Sequence, residues 1–218
     1  MFIEKLFSDP LLFSSTVLIV LLSVTIHELA HGGAAILQGD STPSDLGHMT
    51  LNPIKHMGWA GIVFLIMFGI CWGSMPVNPS KFRNPRWGNF LVSFAGPAAN
   101  LMLGILFTLA FFLVSYLQNS PNMGYANKNL ILVLFQGSIL NFTLFLLNLL
   151  PIPPLDGFHV FSEIFTPLKK LSAYSQYAFV VLLLLFNIPG FWRGISNIAI
   201  YMIEFLIQLI RFLFPALI

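Results

Sequence analysis

The chain has 218 residues, of which only 8% are Asp, Glu, Lys or Arg, while 57% are apolar, including 23 Phe. Soluble domains carry about 25% charged residues, so this chain lacks the charge to cover a water-facing surface, and its apolar content excludes disorder. A net charge of +2 spread over dispersed residues excludes the basic footprint of a nucleic-acid binder, and one cysteine, Cys71, cannot form an internal disulfide.

The composition implies an all-α integral membrane protein, residues 1–218 forming one polytopic unit in the lipid bilayer, with about five or six transmembrane helices. The first runs from about Pro10 to about Leu37 and is charge-free until its C-terminal third. It is longer than the apolar region of a cleaved signal peptide, so it is expected to be retained. The loop Ser41 to Lys55 carries Pro43, Gly47 and Pro53. Trp59 to Val77 is apolar but broken by Gly58, Gly61, Gly69, Gly73 and Pro76. Irregular backbone survives at membrane depth only when protein or a water-filled cavity shields it, so this stretch is either a re-entrant hairpin or a short span. Trp87–Gln118, Asn129–Leu155 and Leu171–Trp192 carry no Asp, Glu, Lys or Arg and read as further spans. Asn119–Asn127 between the first two is a polar loop with Pro121 and Gly124. The last run, Ile195–Ile218, contains Glu204 and Arg211 and is a sixth span or an interfacial helix. There is no internal repeat of the kind that marks an inverted-repeat transporter.

Basic residues favour the re-entrant hairpin. If the first helix enters from outside and Trp59–Val77 dips in and returns, then Lys55, Lys81, Arg83, Arg86, Lys169 and Lys170 all lie on the cytoplasmic side. Only Lys5 and Lys128 face the other way, in keeping with the positive-inside tendency. A full crossing would move Lys81, Arg83 and Arg86 outside and erase the bias.

Inside the first apolar helix stands His27-Glu28-Leu29-Ala30-His31. Helical positions four apart share a face, so His27 and His31 can chelate one metal ion, and Glu28 is close enough to reach a water on it. This is the HExxH arrangement of zinc hydrolases. Ionisable groups at a membrane helix centre cost about 2.5–3.5 kcal/mol each on insertion scales, which weighs against three idle ones. Catalytic zinc usually takes three protein ligands. No Glu follows until Glu163, and Gly32 to Leu37 offers no ligand. The best third ligand is Asp156, in Asn148-Leu149-Leu150-Pro151-Ile152-Pro153-Pro154-Leu155-Asp156-Gly157. The prolines must end the preceding helix near Leu150. An unwound segment there lets a carboxylate turn inward. The alternative is that Asp156 N-caps a helix from Gly157 to Phe165.

HELAH on an early helix with NLLPIPPLDG on a later one resembles the site-2 protease family of intramembrane zinc metalloproteases. Gly47-His48-Met49-Thr50-Leu51-Asn52-Pro53 resembles the family's G-x-x-T-x-N-P loop, with His48 where relatives commonly carry Arg. Ala95-Gly96-Pro97-Ala98-Ala99-Asn100 resembles its G-P-x-x-N helix. Asn141 and Asn148 fall where the family places asparagines. The resemblance spans about residues 25 to 160. It implies that His27, His31 and Asp156 hold one Zn2+ per chain and that Glu28 is the general base. It also implies a catalytic core over about residues 10–165 with helices at 171–218 beyond it, and an active site toward the cytoplasmic side. The length leaves no room for the PDZ domain that many members carry, so the chain resembles a compact type.

The expected activity is hydrolysis of peptide bonds within or near transmembrane segments of membrane-protein substrates. The alternatives are a non-hydrolytic zinc-binding scaffold, which the intact Glu28 argues against, and a transporter. Asn100, Asn141 and Asn148 are candidates to bind substrate backbone or an oxyanion, or else to bridge helices. His56 reads as structural or interfacial rather than as a ligand, and His159, close after Asp156, as a candidate to support the ligands.

Overall fold

Asp9 and Pro10 start the first long helix. The Asp9 side chain accepts from the Leu12 amide at 3.0 Å, and proline at the first helical position needs no partner for a missing N–H. The computed structural model describes residues 2–118 and 128–215, so the expected polar loop Asn119–Asn127 lies outside the described residues. The helices are α1 (Lys5–Ser8), α2 (Pro10–Leu37), α3 (Thr42–Asp45), α4 (Pro53–Phe68), α5 (Pro85–Gln118), α6 (Lys128–Asn148), α7 (Asp156–Ile164), α8 (Ala178–Phe186) and α9 (Phe191–Leu213). Short 3-10 segments accompany them, and no strand occurs among the described residues.

Among the described residues, four helices, α2, α5, α6 and α9, are long and apolar enough to cross a membrane. The expected five or six is reached only by adding the shorter apolar helices α4 and α8. The run Leu171–Trp192, read as a span, divides into a 3-10 segment, Thr166–Tyr177, followed by the nine residues of α8. Ser172, Tyr174, Ser175, Gln176 and Tyr177 dilute its first third, and what remains is shorter than the ~20 residues a bilayer requires. Ile195–Ile218 falls mainly in α9, which meets the length and hydropathy of a span.

α5 packs against α2, α6, α7 and α9, and α6 against α2 and α9. Phe142 on α6 meets Ala199 and Ile203 on α9 in one core cluster, and Ala35 on α2 meets Phe82 and Val92 in another. Gln136 on α6 ties back to α2, accepting from Ser15 Oγ at 2.8 Å.

The stretch 59–77 is a hairpin that enters and leaves at the same end of α2. Asn52 caps α4 through the Ile54 amide at 3.0 Å. The helix breaks at Gly58 and ends at Gly69, whose positive φ suits glycine. Gly69 lies against Phe2, near the start of α2, where the Phe2 and Phe13 rings meet at a tilt with centres 5.1 Å apart. The chain then returns extended and parallel to α2. Cys71 packs on the cluster of Val20, Val24, Met57 and Leu65, Gly73 lies at Glu28, Met75 at Gly32, and the Asn78 amide reaches Asp40. Arg83 N closes the return on Gln38 O at 2.8 Å. Asp40 is the anchor. It is fully buried and accepts from the Asn78 amide at 2.6 Å and the Thr42 amide at 3.0 Å, with Lys81 Nζ 3.8 Å away. Burial works against its charge, but these donors outweigh it and hold the carboxyl below the usual range.

Candidate metal centre

His27, Glu28 and His31 lie in the C-terminal third of α2, all buried, with Glu28 about 14 Å of helix rise before Leu37. The helical period puts His27 and His31 on one face, and their Nε2 atoms are 3.0 Å apart. Asp156 reaches them from the other end of the sequence. The α6 helix stops at Asn148, the proline-rich turn redirects the chain, and α7 begins at Asp156 itself. Leu155 holds the cap position and no side chain caps the helix, so the Asp156 carboxylate is free of the capping role. Its Oδ2 lies 3.0 Å from His27 Nε2 and 3.3 Å from His31 Nε2. Gly157 allows the tight fold behind it, because a Cβ there would collide with the Leu149 backbone.

These three side chains fit a metal. They form the one group of three His, Cys, Asp or Glu ligand atoms within 4.8 Å of one another among the described residues. His31 Nδ1 lies 2.6 Å from the Val92 carbonyl, which can only accept. Nδ1 of His31 therefore carries a proton, and in the neutral ring Nε2 presents a lone pair. Neighbouring ligand atoms of a tetrahedral zinc, at about 2.0–2.2 Å from the ion, stand roughly 3.3 Å apart. The observed triangle of 3.0, 3.0 and 3.3 Å matches that spacing. A proton on one imidazole joins one edge of the triangle and leaves another as lone pair against lone pair. A single cation joins all three. The α5 backbone closes over the imidazoles at Gly96, where a Cβ would overlap both Nε2 atoms.

Glu28 lies against Gly73 of the returning strand, and among the described residues its carboxylate accepts no hydrogen bond. It is a buried carboxylate beside the two imidazoles and free to take a proton.

The asparagines divide. Asn100 is 1% exposed and its Oδ1 is 2.6 Å from His27 Nδ1. Its Nδ2 donates to Asn141 Oδ1 at 3.3 Å, and the fully buried Asn141 donates to the Gly137 carbonyl at 2.9 Å. Of the two expectations for Asn100 and Asn141, substrate contact or helix bridging, the hydrogen bonds here join α2, α5 and α6, and both side chains are sealed from solvent. Asn148 is half-buried at the end of α6, and its amide makes no hydrogen bond among the described residues. His56 is buried, with Nε2 donating to the Thr50 carbonyl at 2.7 Å, and His48 stands beside it at 6.2 Å between ring centres. His159 is exposed and meets Phe158 edge-on, away from the ligands.

Some contributors left no mark in the sequence. The Val92 carbonyl is backbone and carries no residue signal. At the far end of α7, Glu163 is held by Lys169 Nζ at 2.7 Å and Asn89 Nδ2 at 3.2 Å, while Arg86 Nε donates to its carbonyl at 3.1 Å. This clasp fixes α7 to α5, and so fixes Asp156. Its members are scattered charged and amide side chains with no motif spacing.

The sequence matches the family described as peptidase family M50 over residues 15–129 and 119–186. It is 37% identical over 185 residues to a putative zinc metalloprotease, YwhC, of Bacillus subtilis, covering 79% of this chain and 80% of that one. It is 28% identical over 195 residues to the putative zinc metalloprotease Rip2 of Mycolicibacterium smegmatis, covering 85% and 71%. The corresponding Rip2 of Mycobacterium tuberculosis is 29% identical over 201 residues, covering 86% and 74%. No solved structure matches.

Proposed function

The chain belongs to peptidase family M50, the site-2 protease family, and is an intramembrane zinc metalloprotease; from that premise we propose that His27, His31 and Asp156 hold its zinc and that Glu28 is its general base. The observation that carries this reading is the convergence of three lone-pair donors from α2 and α7 on one point, beside a free buried carboxylate. Zinc supplies a Lewis acid there, lowering the pKa of water to about 7 and polarising a carbonyl.

The protein's own residues do the rest. Glu28 takes a proton from the attacking water as the new C–O bond forms. It returns that proton to the amide nitrogen as the C–N bond breaks. Substrate is a transmembrane protein segment, and it must unwind locally, because a helical carbonyl is already hydrogen-bonded. The extended strand after Gly69 and the turn Pro151–Pro154 flank the site on two sides. A site toward the cytoplasm is supported by Lys81, Arg83, Arg86 and Lys169, which are held at its end of the molecule, in keeping with the positive-inside tendency. A zinc scaffold has no use for Glu28, and no observation favours a transporter.

The test is Glu28→Gln in the full chain. It should bind zinc as the parent does and fail to cleave a transmembrane reporter. Normal cleavage by this variant would remove Glu28 as the base.

A further inference from the structure

We propose that Asn141 is a positioning residue that sets the tautomer of His27 through Asn100; this rests on His27 being a zinc ligand. The Gly137 carbonyl can only accept, so the Asn141 atom facing it is the Nδ2 donor. That leaves Asn141 Oδ1, an acceptor, toward Asn100. Asn100 must therefore present its Nδ2 to Asn141 and its Oδ1 to His27. Facing an acceptor, His27 carries its proton on Nδ1 and keeps the Nε2 lone pair for the metal.

Each link is needed because the amide of Asn100 has two faces. Rotated by half a turn, it would offer a donor to His27 Nδ1 and push the ring proton onto Nε2, where it blocks ligation. At 1% and 0% exposure, water cannot replace either asparagine. The two ligand imidazoles are thus fixed by different devices. His31 takes its orientation from the Val92 carbonyl on α5 directly. His27 takes its orientation from a carbonyl on α6, relayed through two side chains. This accounts for two buried asparagines facing each other between membrane helices.

The experiment measures zinc affinity of the purified full chain in detergent by competition with a chromophoric chelator, alongside the visible spectrum of the Co2+-loaded protein. Asn141→Leu should weaken zinc binding by about 10–100-fold, as loss of outer-shell partners does. Asn100→Asp added to Asn141→Leu should restore the affinity and the tetrahedral Co2+ spectrum, because a carboxylate has only acceptor faces and needs no relay. A purely structural role for Asn141 would gain nothing from that second change. Unchanged zinc affinity in Asn141→Leu overturns the proposal, and so does failure of the carboxylate to restore binding. A raised KM with zinc affinity intact overturns it as well and assigns Asn141 to substrate. If Asn141→Leu does not fold, Asn141→Ala, alone and with Asn100→Asp, is read in the same way: a loss of zinc affinity restored by the carboxylate is expected, and an unchanged affinity or a failed restoration overturns. Asp156→Ala separates the two readings. If it keeps zinc, the ligand set is wrong. If it loses zinc while Asn141→Leu keeps it, only the relay is wrong.

Discussion

Gly73 of the returning strand lies so close to the Glu28 carboxylate that a Cβ added to it would occupy the space of Oε1. The strand and the proposed base are thus packed as one unit. Gly73→Ala is expected to push the Glu28 carboxylate aside and cut kcat by about 10²-fold, the cost of misplacing a catalytic group by an ångström or so. Zinc content should stay at the parent level, because the side chain that the new Cβ displaces, Glu28, is not one of the three converging ligand groups. Reporter cleavage together with metal analysis checks both halves.

Gly96→Ala acts on the other face. Its Cβ would overlap both Nε2 atoms, and the α5 backbone that carries it is buried against α2. The expected result is zinc affinity lower by about tenfold or more, with activity recovering only in part at high zinc. A variant with full zinc content and altered kcat alone would contradict the closeness of α5 to the ligands.

Removing zinc with a chelator should abolish cleavage of a transmembrane reporter, and adding Zn2+ back should restore it. Asp156→Ala should not recover under the same treatment, since it lacks one of the three converging atoms. Asp156→Asn keeps an acceptor oxygen but loses the charge, and should fall between the two in zinc retention.

Asp40 gives a pH-dependent stability. Its carboxyl is held below the ordinary value by the amides of Asn78 and Thr42, which outweigh the opposing effect of burial. A lowered carboxyl pKa stabilises the folded state above the unfolded value of about 3.9, and this contribution disappears as pH falls through the folded value. Asp40→Asn should therefore destabilise by about 1–3 kcal/mol near neutrality. The difference from the parent should narrow steadily below about pH 4. Thermal unfolding in detergent across that range is the measurement. The same variant should lower activity at temperatures where the strand 69–78 loosens, because Asp40 is its anchor.

The sequence alone determined what local periodicity and hydropathy can carry. His27 and His31 share one buried face because four residues make just over a helical turn, and Glu28 follows directly beside them. The prolines from Pro151 to Pro154 end α6 because they remove donors and forbid the α region before them. Only the tertiary structure decided what depends on which helix meets which. It carried Asp156 to the imidazoles and put the Val92 carbonyl and the Asn100–Asn141 pair behind them. It folded the 59–77 stretch back along α2 so that Gly73 covers Glu28. It also divided Leu171–Trp192, because an apolar run reports the solvent preference of side chains and not whether the backbone stays α-helical for the thickness of a bilayer. An asparagine in a membrane helix reads the same whether it grips a substrate or a neighbouring ring. The difference lies in the atom opposite it, and that atom belongs to another part of the chain.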